Sequence, residues 1–75
     1  MITNLAHKVT KNIYCYNLVG FPYNVVYNCN NRNIILADSE TGAPVHIVEK
    51  DEDLDFETFV LISQNVWLDL IDSSN

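Results

Sequence analysis

The stretch Ile34-Ile35-Leu36-Ala37-Asp38-Ser39-Glu40-Thr41-Gly42-Ala43-Pro44-Val45-His46-Ile47-Val48 decides the fold. Two short apolar runs flank a turn-rich segment, with Gly42 placed where a positive φ is needed. The pattern reads as a β-hairpin. Its apolar runs lack clean alternation, which predicts that both faces of these strands are covered and that they sit centrally in a sheet.

Working upstream, Asn12-Ile13-Tyr14-Cys15-Tyr16-Asn17-Leu18-Val19 is dense in β-branched and aromatic residues and meets the punctuation Gly20-Phe21-Pro22. Tyr23-Asn24-Val25-Val26-Tyr27-Asn28-Cys29 repeats that composition, and Asn30-Asn31-Arg32-Asn33 ends it. These are two further strands. With a loop from Phe21 to Tyr23, Cys15 falls opposite Cys29, on one face with Val19 and Val25, where a cross-strand disulfide is geometrically conceivable. Two cysteines are nevertheless fewer than a small secreted scaffold carries, so the expectation is two free, buried thiols in a reducing, cytoplasmic compartment. Residues 2–10 fit either a short helix or an edge strand.

Downstream the pattern is double. Phe56, Phe59, Val60, Ser63, Trp67, Leu70 and Ile71 share one helical stripe, while residues 58–62 fit a buried strand equally well. The preferred reading is a strand to about Ser63 and a short helix over residues 64–72, laying Trp67 and Ile71 on the sheet. The fold class expected is mainly β or α+β: a small antiparallel sheet of four to five strands built from hairpins, with a short C-terminal helix, in one domain over residues 1–75.

A chain of 75 residues has material for one core. With 48% hydrophobic residues it folds despite a net charge of −6. No apolar run approaches the roughly 20 residues of a membrane helix, and the start lacks the basic and apolar segments of a signal peptide. A core this small supplies few kcal/mol, which makes self-association as a homodimer a second option.

The charges are segregated. Before Asp38 there is no acid, only Lys8, Lys11 and Arg32; from Asp38 onward all ten acids appear against Lys50 alone. Such asymmetry points to an electrostatic partner, unless the two halves pair within the fold and neutralise each other. The sharpest pattern is Glu49, Asp51, Asp53, Asp55 and Glu57 at two-residue spacing, with Glu52 out of step. In an extended chain these carboxylates line one face at roughly 6.6 Å intervals, with Val48, Leu54 and Phe56 turned to the core. Their mutual repulsion is relieved by a basic partner, and such a row imitates the phosphates of a nucleic acid. The plain alternative is a solvated acidic loop between two elements.

Other chemistry is poorly supported. The acidic stretch lacks the glycine and twelfth-position ligand of a calcium loop, and His7 and His46 lie on different elements with no Cys-x-x-Cys. No metal or other cofactor is expected. There is no Gly-rich phosphate loop, no Gly-x-Ser-x-Gly and no His-Glu-x-x-His, and no catalytic residue is assigned. The aromatic set Tyr14, Tyr16, Phe21, Tyr23, Tyr27 and Trp67 either builds the core or leaves anchors outside it. Tyr14 and Tyr16 with Lys8, Lys11 and Arg32 offer a third option, a clamp for single-stranded nucleic acid, which the net negative charge opposes.

In size, acidity, Asn-rich N-terminal half and the turn Asp38-x-Glu40-Thr41-Gly42-x-Pro44, the chain resembles small proteins carried by phages and mobile elements. The resemblance rests on a seven-residue motif and transfers no functional residue. Acidic inhibitors of host defence, of the anti-CRISPR and anti-restriction type, are one class among such proteins. The resemblance implies a non-enzymatic inhibitor in the host cytoplasm; it is the acidic stretch that supplies the residues expected to engage a basic, nucleic-acid-binding surface of a host protein, Glu49, Asp51, Glu52, Asp53, Asp55 and Glu57.

Overall fold

The computed structural model describes residues 5–50 and 53–73. Five strands, β1 (Ala6–Thr10), β2 (Ile13–Asn17), β3 (Tyr23–Asn28), β4 (Asn33–Asp38) and β5 (Pro44–Glu49), precede one helix, α1 (Phe56–Ser73). Each strand pairs antiparallel with the next, in the spatial order β1-β2-β3-β4-β5. The result is the α+β sheet and helix that the hairpin pattern predicts. Of the segment 2–10, residues 6–10 form an edge strand; residues 2–4 lie outside those described.

The asparagine and aspartate side chains make the turns. Asn28 and Asn31 each accept the backbone N–H two residues on, at 2.9 and 3.1 Å, and tighten the β3–β4 connection around Arg32, whose φ is 57°. Asp38 accepts the N–H groups of Glu40 and Thr41 at 2.8 and 3.1 Å, and Gly42 supplies a φ of 75° that closes the β4–β5 hairpin. The Asn-rich composition of the first half thus has a structural use in its loops.

One face of the sheet carries the core. Tyr14, Tyr16, Val25, Tyr27 and Ile34 meet Leu54, Phe59 and Val60 in one buried cluster. Tyr14 is at its centre, with ring centroids 5.8 Å from Tyr27, 5.6 Å from Phe59 and 5.4 Å edge-on from Phe56. Such offset and edge-to-face pairs add to plain burial. Half of the aromatic set, Tyr14, Tyr16 and Tyr27, is therefore buried in the core, while Phe21, Tyr23 and Trp67 are half-buried against it.

Three expectations are corrected. The strand expected up to Ser63 is helix throughout, because α1 begins at Phe56 and the stripe Phe56, Phe59, Val60 and Ser63 turns onto the sheet. The reason lies at its start: Asp55 accepts the Thr58 N–H at 2.8 Å, a helix N-cap, and the buried Leu54 just before it and Phe59 share one cluster, as in a hydrophobic staple. The second correction concerns register. Cys15 faces Val26, not Cys29, because β2 and β3 pair from Ile13↔Asn28 to Asn17↔Asn24 around a longer loop. Cys15 thus points away from Val25, Val19 lies beyond β2, and both cysteines are free.

The third concerns the strands on either side of Gly42. They form a hairpin, but β5 is an edge strand, and all six of its residues are exposed. Helix α1 packs mainly against β2 and leaves this edge uncovered. β4, with the same kind of run, is interior between β3 and β5 with Ile34 and Ala37 buried, as expected, so the lack of alternation does not by itself decide whether a strand is covered.

Candidate functional site

The described acids of the stretch run from the last residue of β5, through the connection that follows, into the first turn of α1. Glu49 closes β5 and is exposed. Asp53 accepts a hydrogen bond from Arg32 Nε at 2.9 Å, an ion pair that links the basic and acidic halves. Both side chains are at least half exposed, so solvent screens the pair and it adds little stability. Asp55 caps α1; its hydrogen bonds from Thr58 hold its carboxyl below the usual Asp range. Glu57 lies in the first helical turn, where the helix dipole favours an anion. Asp51 and Glu52 lie outside the described residues.

These positions replace the extended carboxylate ladder by a bent path. Only Glu49 belongs to a strand; Asp53 and Asp55 lie between elements and Glu57 is helical. The period-two spacing therefore does not place these side chains on one strand face, although each described acid of the stretch is exposed. The bend is pinned by Leu54, whose buried N–H donates to the Tyr27 hydroxyl at 3.1 Å. Leu54 turns to the core, as its place among the acids predicts, and is 7% exposed.

Beside the acids lies an apolar edge that the sequence pattern did not single out. Val45, Ile47 and Val48 of β5 are 56, 50 and 39% exposed. The Lys50 N–H donates to the Arg32 carbonyl at 2.9 Å, so in the alternating antiparallel ladder the groups of Val48 face β4 and those of Ile47 and Glu49 face outward. On the sheet face opposite α1, the register sets Cys15, Val26, Ile35 and Ile47 side by side across four strands. An apolar row thus runs to the open edge.

The basic half offers less. Lys8 sits 5.9 Å from the Tyr14 ring centroid and 5.6 Å from that of Phe56, an arrangement that commits its charge to the core rings. Tyr14 and Tyr16 are 8 and 0% exposed and present no face on which a base can stack. Burial also pushes the Cys15 thiol above its usual range, away from nucleophilic reactivity. A shallow groove of about 380 Å³ is lined by Phe56, Glu57, Val60, Leu61 and Gln64, all from α1. Among the described residues no three His, Cys, Asp or Glu side chains are grouped to hold a metal, and no helix is long and apolar enough to cross a membrane.

No protein-family model, no curated protein and no solved structure matches this chain.

Proposed function

We infer that the chain is a non-enzymatic binding protein that inhibits a nucleic-acid-handling host protein by engaging its basic surface, in the manner of an anti-CRISPR or anti-restriction inhibitor. The residues proposed to make that contact are Glu49, Asp51, Glu52, Asp53, Asp55 and Glu57. One observation supports the reading: the exposed apolar edge of β5 ends in exposed Glu49, and exposed Asp53, Asp55 and Glu57 follow in the connection to α1 and its first turn, a combination of apolar area and charge that suits a protein interface. The acids steer the encounter and set its salt dependence, and Ile47 and Val45 supply the area removed from water.

The test is capture from a lysate of the host cell with two baits, the wild-type chain and a variant with Glu49, Asp51, Asp53, Asp55 and Glu57 changed to Ser. Serine also caps helices, so the change at Asp55 keeps α1 anchored. Loss of the captured protein with the Ser variant is the expected result. Equal yield from both baits contradicts the reading. The open edge of β5 favours a second reading, a self-associating structural subunit.

A further inference from the structure

We propose that the outer face of α1 is a docking site for a basic amphipathic helix of the partner, seated along the stripe Glu57, Leu61, Gln64, Leu68 and Asp72. The inference deepens the reading above and rests on it: the partner brings the basic surface, and α1 selects the form in which that surface is presented.

The stripe follows from helical spacing. Leu61 and Leu68 stand seven residues apart, two turns along one face, and are the two exposed large hydrophobics of α1, at 61 and 50%. Glu57 lies four residues before the first and Asp72 four residues after the second, both exposed, and Gln64 falls between the leucines. From Glu57 to Asp72 the stripe runs about 22 Å, with an apolar middle and a carboxylate at each end. The opposite side of the helix packs on the sheet, where Phe59, Val60 and Ser63 are buried. The shallow groove of about 380 Å³ gives the stripe relief, since Glu57, Leu61 and Gln64 all line it.

Charge selects the occupant. Helix α1 carries Glu57, Asp69 and Asp72 and not one Lys, Arg or His. Its last turn holds an acid where the helix dipole favours a cation, so Asp72 gains from a positive partner. Lys8 borders the groove at Phe56, but its amine is held 5.6 Å from that ring and 5.9 Å from the ring of Tyr14. A second copy does not fit: antiparallel α1 helices set Glu57 beside Asp72 of the copy, twice, and parallel ones set each acid beside its own equivalent. An extended strand fits no better, because the backbone groups along α1 are bonded within the helix and offer no edge. A helix with apolar residues two turns apart and Lys or Arg beyond each of them matches the stripe, at the roughly 8–10 Å spacing of packed helices.

The probe is a synthetic peptide of leucine and lysine, as long as α1, with its leucines on one helical face; a scrambled peptide of the same composition is the control. Titrated into the full chain, the probe is expected to bind saturably and to shift the backbone amide signals around Leu61 and Leu68 in NMR spectra. Leu61→Gln with Leu68→Gln removes the apolar middle at exposed positions, keeps every acid and retains good helix formers. The affinity for the probe should then fall about tenfold or more. Glu57→Lys with Asp72→Lys should reverse the preference, from the leucine and lysine probe to one of leucine and glutamate. A probe that binds the Leu61→Gln/Leu68→Gln variant as tightly as wild type overturns the proposal. So does one that binds no better than its scrambled control, shifts signals elsewhere instead, or fails to bind. Capture from the host lysate separates this failure from that of the acidic surface. A host protein kept by the Leu61→Gln/Leu68→Gln variant but lost by the Ser variant overturns the helix site alone, whereas equal capture by wild type and the Ser variant overturns the reading on which it rests.

Discussion

The Tyr27 hydroxyl accepts the backbone N–H of Leu54 at 3.1 Å, across 27 positions of sequence. This bond fixes where the acidic stretch turns into α1, because Leu54 immediately precedes the capping residue Asp55. Tyr27 is fully buried, so loss of its hydroxyl leaves a buried donor without a partner. Tyr27→Phe is expected to cost about 1–3 kcal/mol in urea denaturation.

The opposite outcome is expected at two other buried hydroxyls. Tyr16 Oη and Ser63 Oγ are buried without a hydrogen-bond partner among the described residues. Tyr16→Phe and Ser63→Ala remove the polar atom and little else, and should leave stability within about 0.5 kcal/mol of wild type or raise it. A loss as large as that of Tyr27→Phe at either position refutes this assignment.

Stability should fall on acidification through Asp55 and Asp38. Both carboxyls are held below the ordinary Asp value, Asp55 by its hydrogen bonds from Thr58 and Asp38 by the N–H groups of Glu40 and Thr41. Groups with depressed folded-state values contribute fully above the unfolded value and lose that contribution as pH drops through the folded one. Denaturation midpoints measured between about pH 5 and about pH 1 should therefore decline, and Asp55→Asn, which keeps a capping oxygen but cannot titrate, should flatten the decline.

The thiols should differ in reactivity. Cys15 is buried and its thiol is pushed up by desolvation, whereas Cys29 is half-buried at the end of β3. Labelling of the native chain with a thiol reagent should modify Cys29 first and Cys15 only as the fold opens. A reductant should leave the thermal midpoint unchanged, because no disulfide joins them.

The sheet was legible because its turns are written in local chemistry: Gly20, Gly42, Asp38 and the asparagines mark the ends of strands whose β-branched and aromatic content is unambiguous. Register was not, since the β2–β3 partners depend on how residues 18–22 fold back, through bonds from the Leu18 N–H to the Tyr23 carbonyl and from the Phe21 N–H to the Leu18 carbonyl. The helix was half visible. Its stripe through Phe59, Ser63 and Trp67 was plain, but Thr58-Phe59-Val60-Leu61-Ile62 taken alone has strand composition, and Asp55 as N-cap was the signal that decides between them. The acids were visible as a composition and a spacing; their actual path depends on Tyr27, Leu54 and Arg32, which lie far apart in sequence. That β5 is an uncovered edge follows from where α1 packs, and no local pattern carries it.

The central claim is that exposed carboxylates between β5 and α1 draw this chain to a basic protein surface. Its most direct test is the salt dependence of affinity for the protein captured with the wild-type bait, measured side by side for wild type and for the variant with Glu49, Asp51, Asp53, Asp55 and Glu57 changed to Ser. The account predicts an affinity that falls steeply with salt for wild type and a weaker, nearly salt-independent affinity for the variant. Equal affinity of the two chains, unchanged from low to high salt, would contradict it.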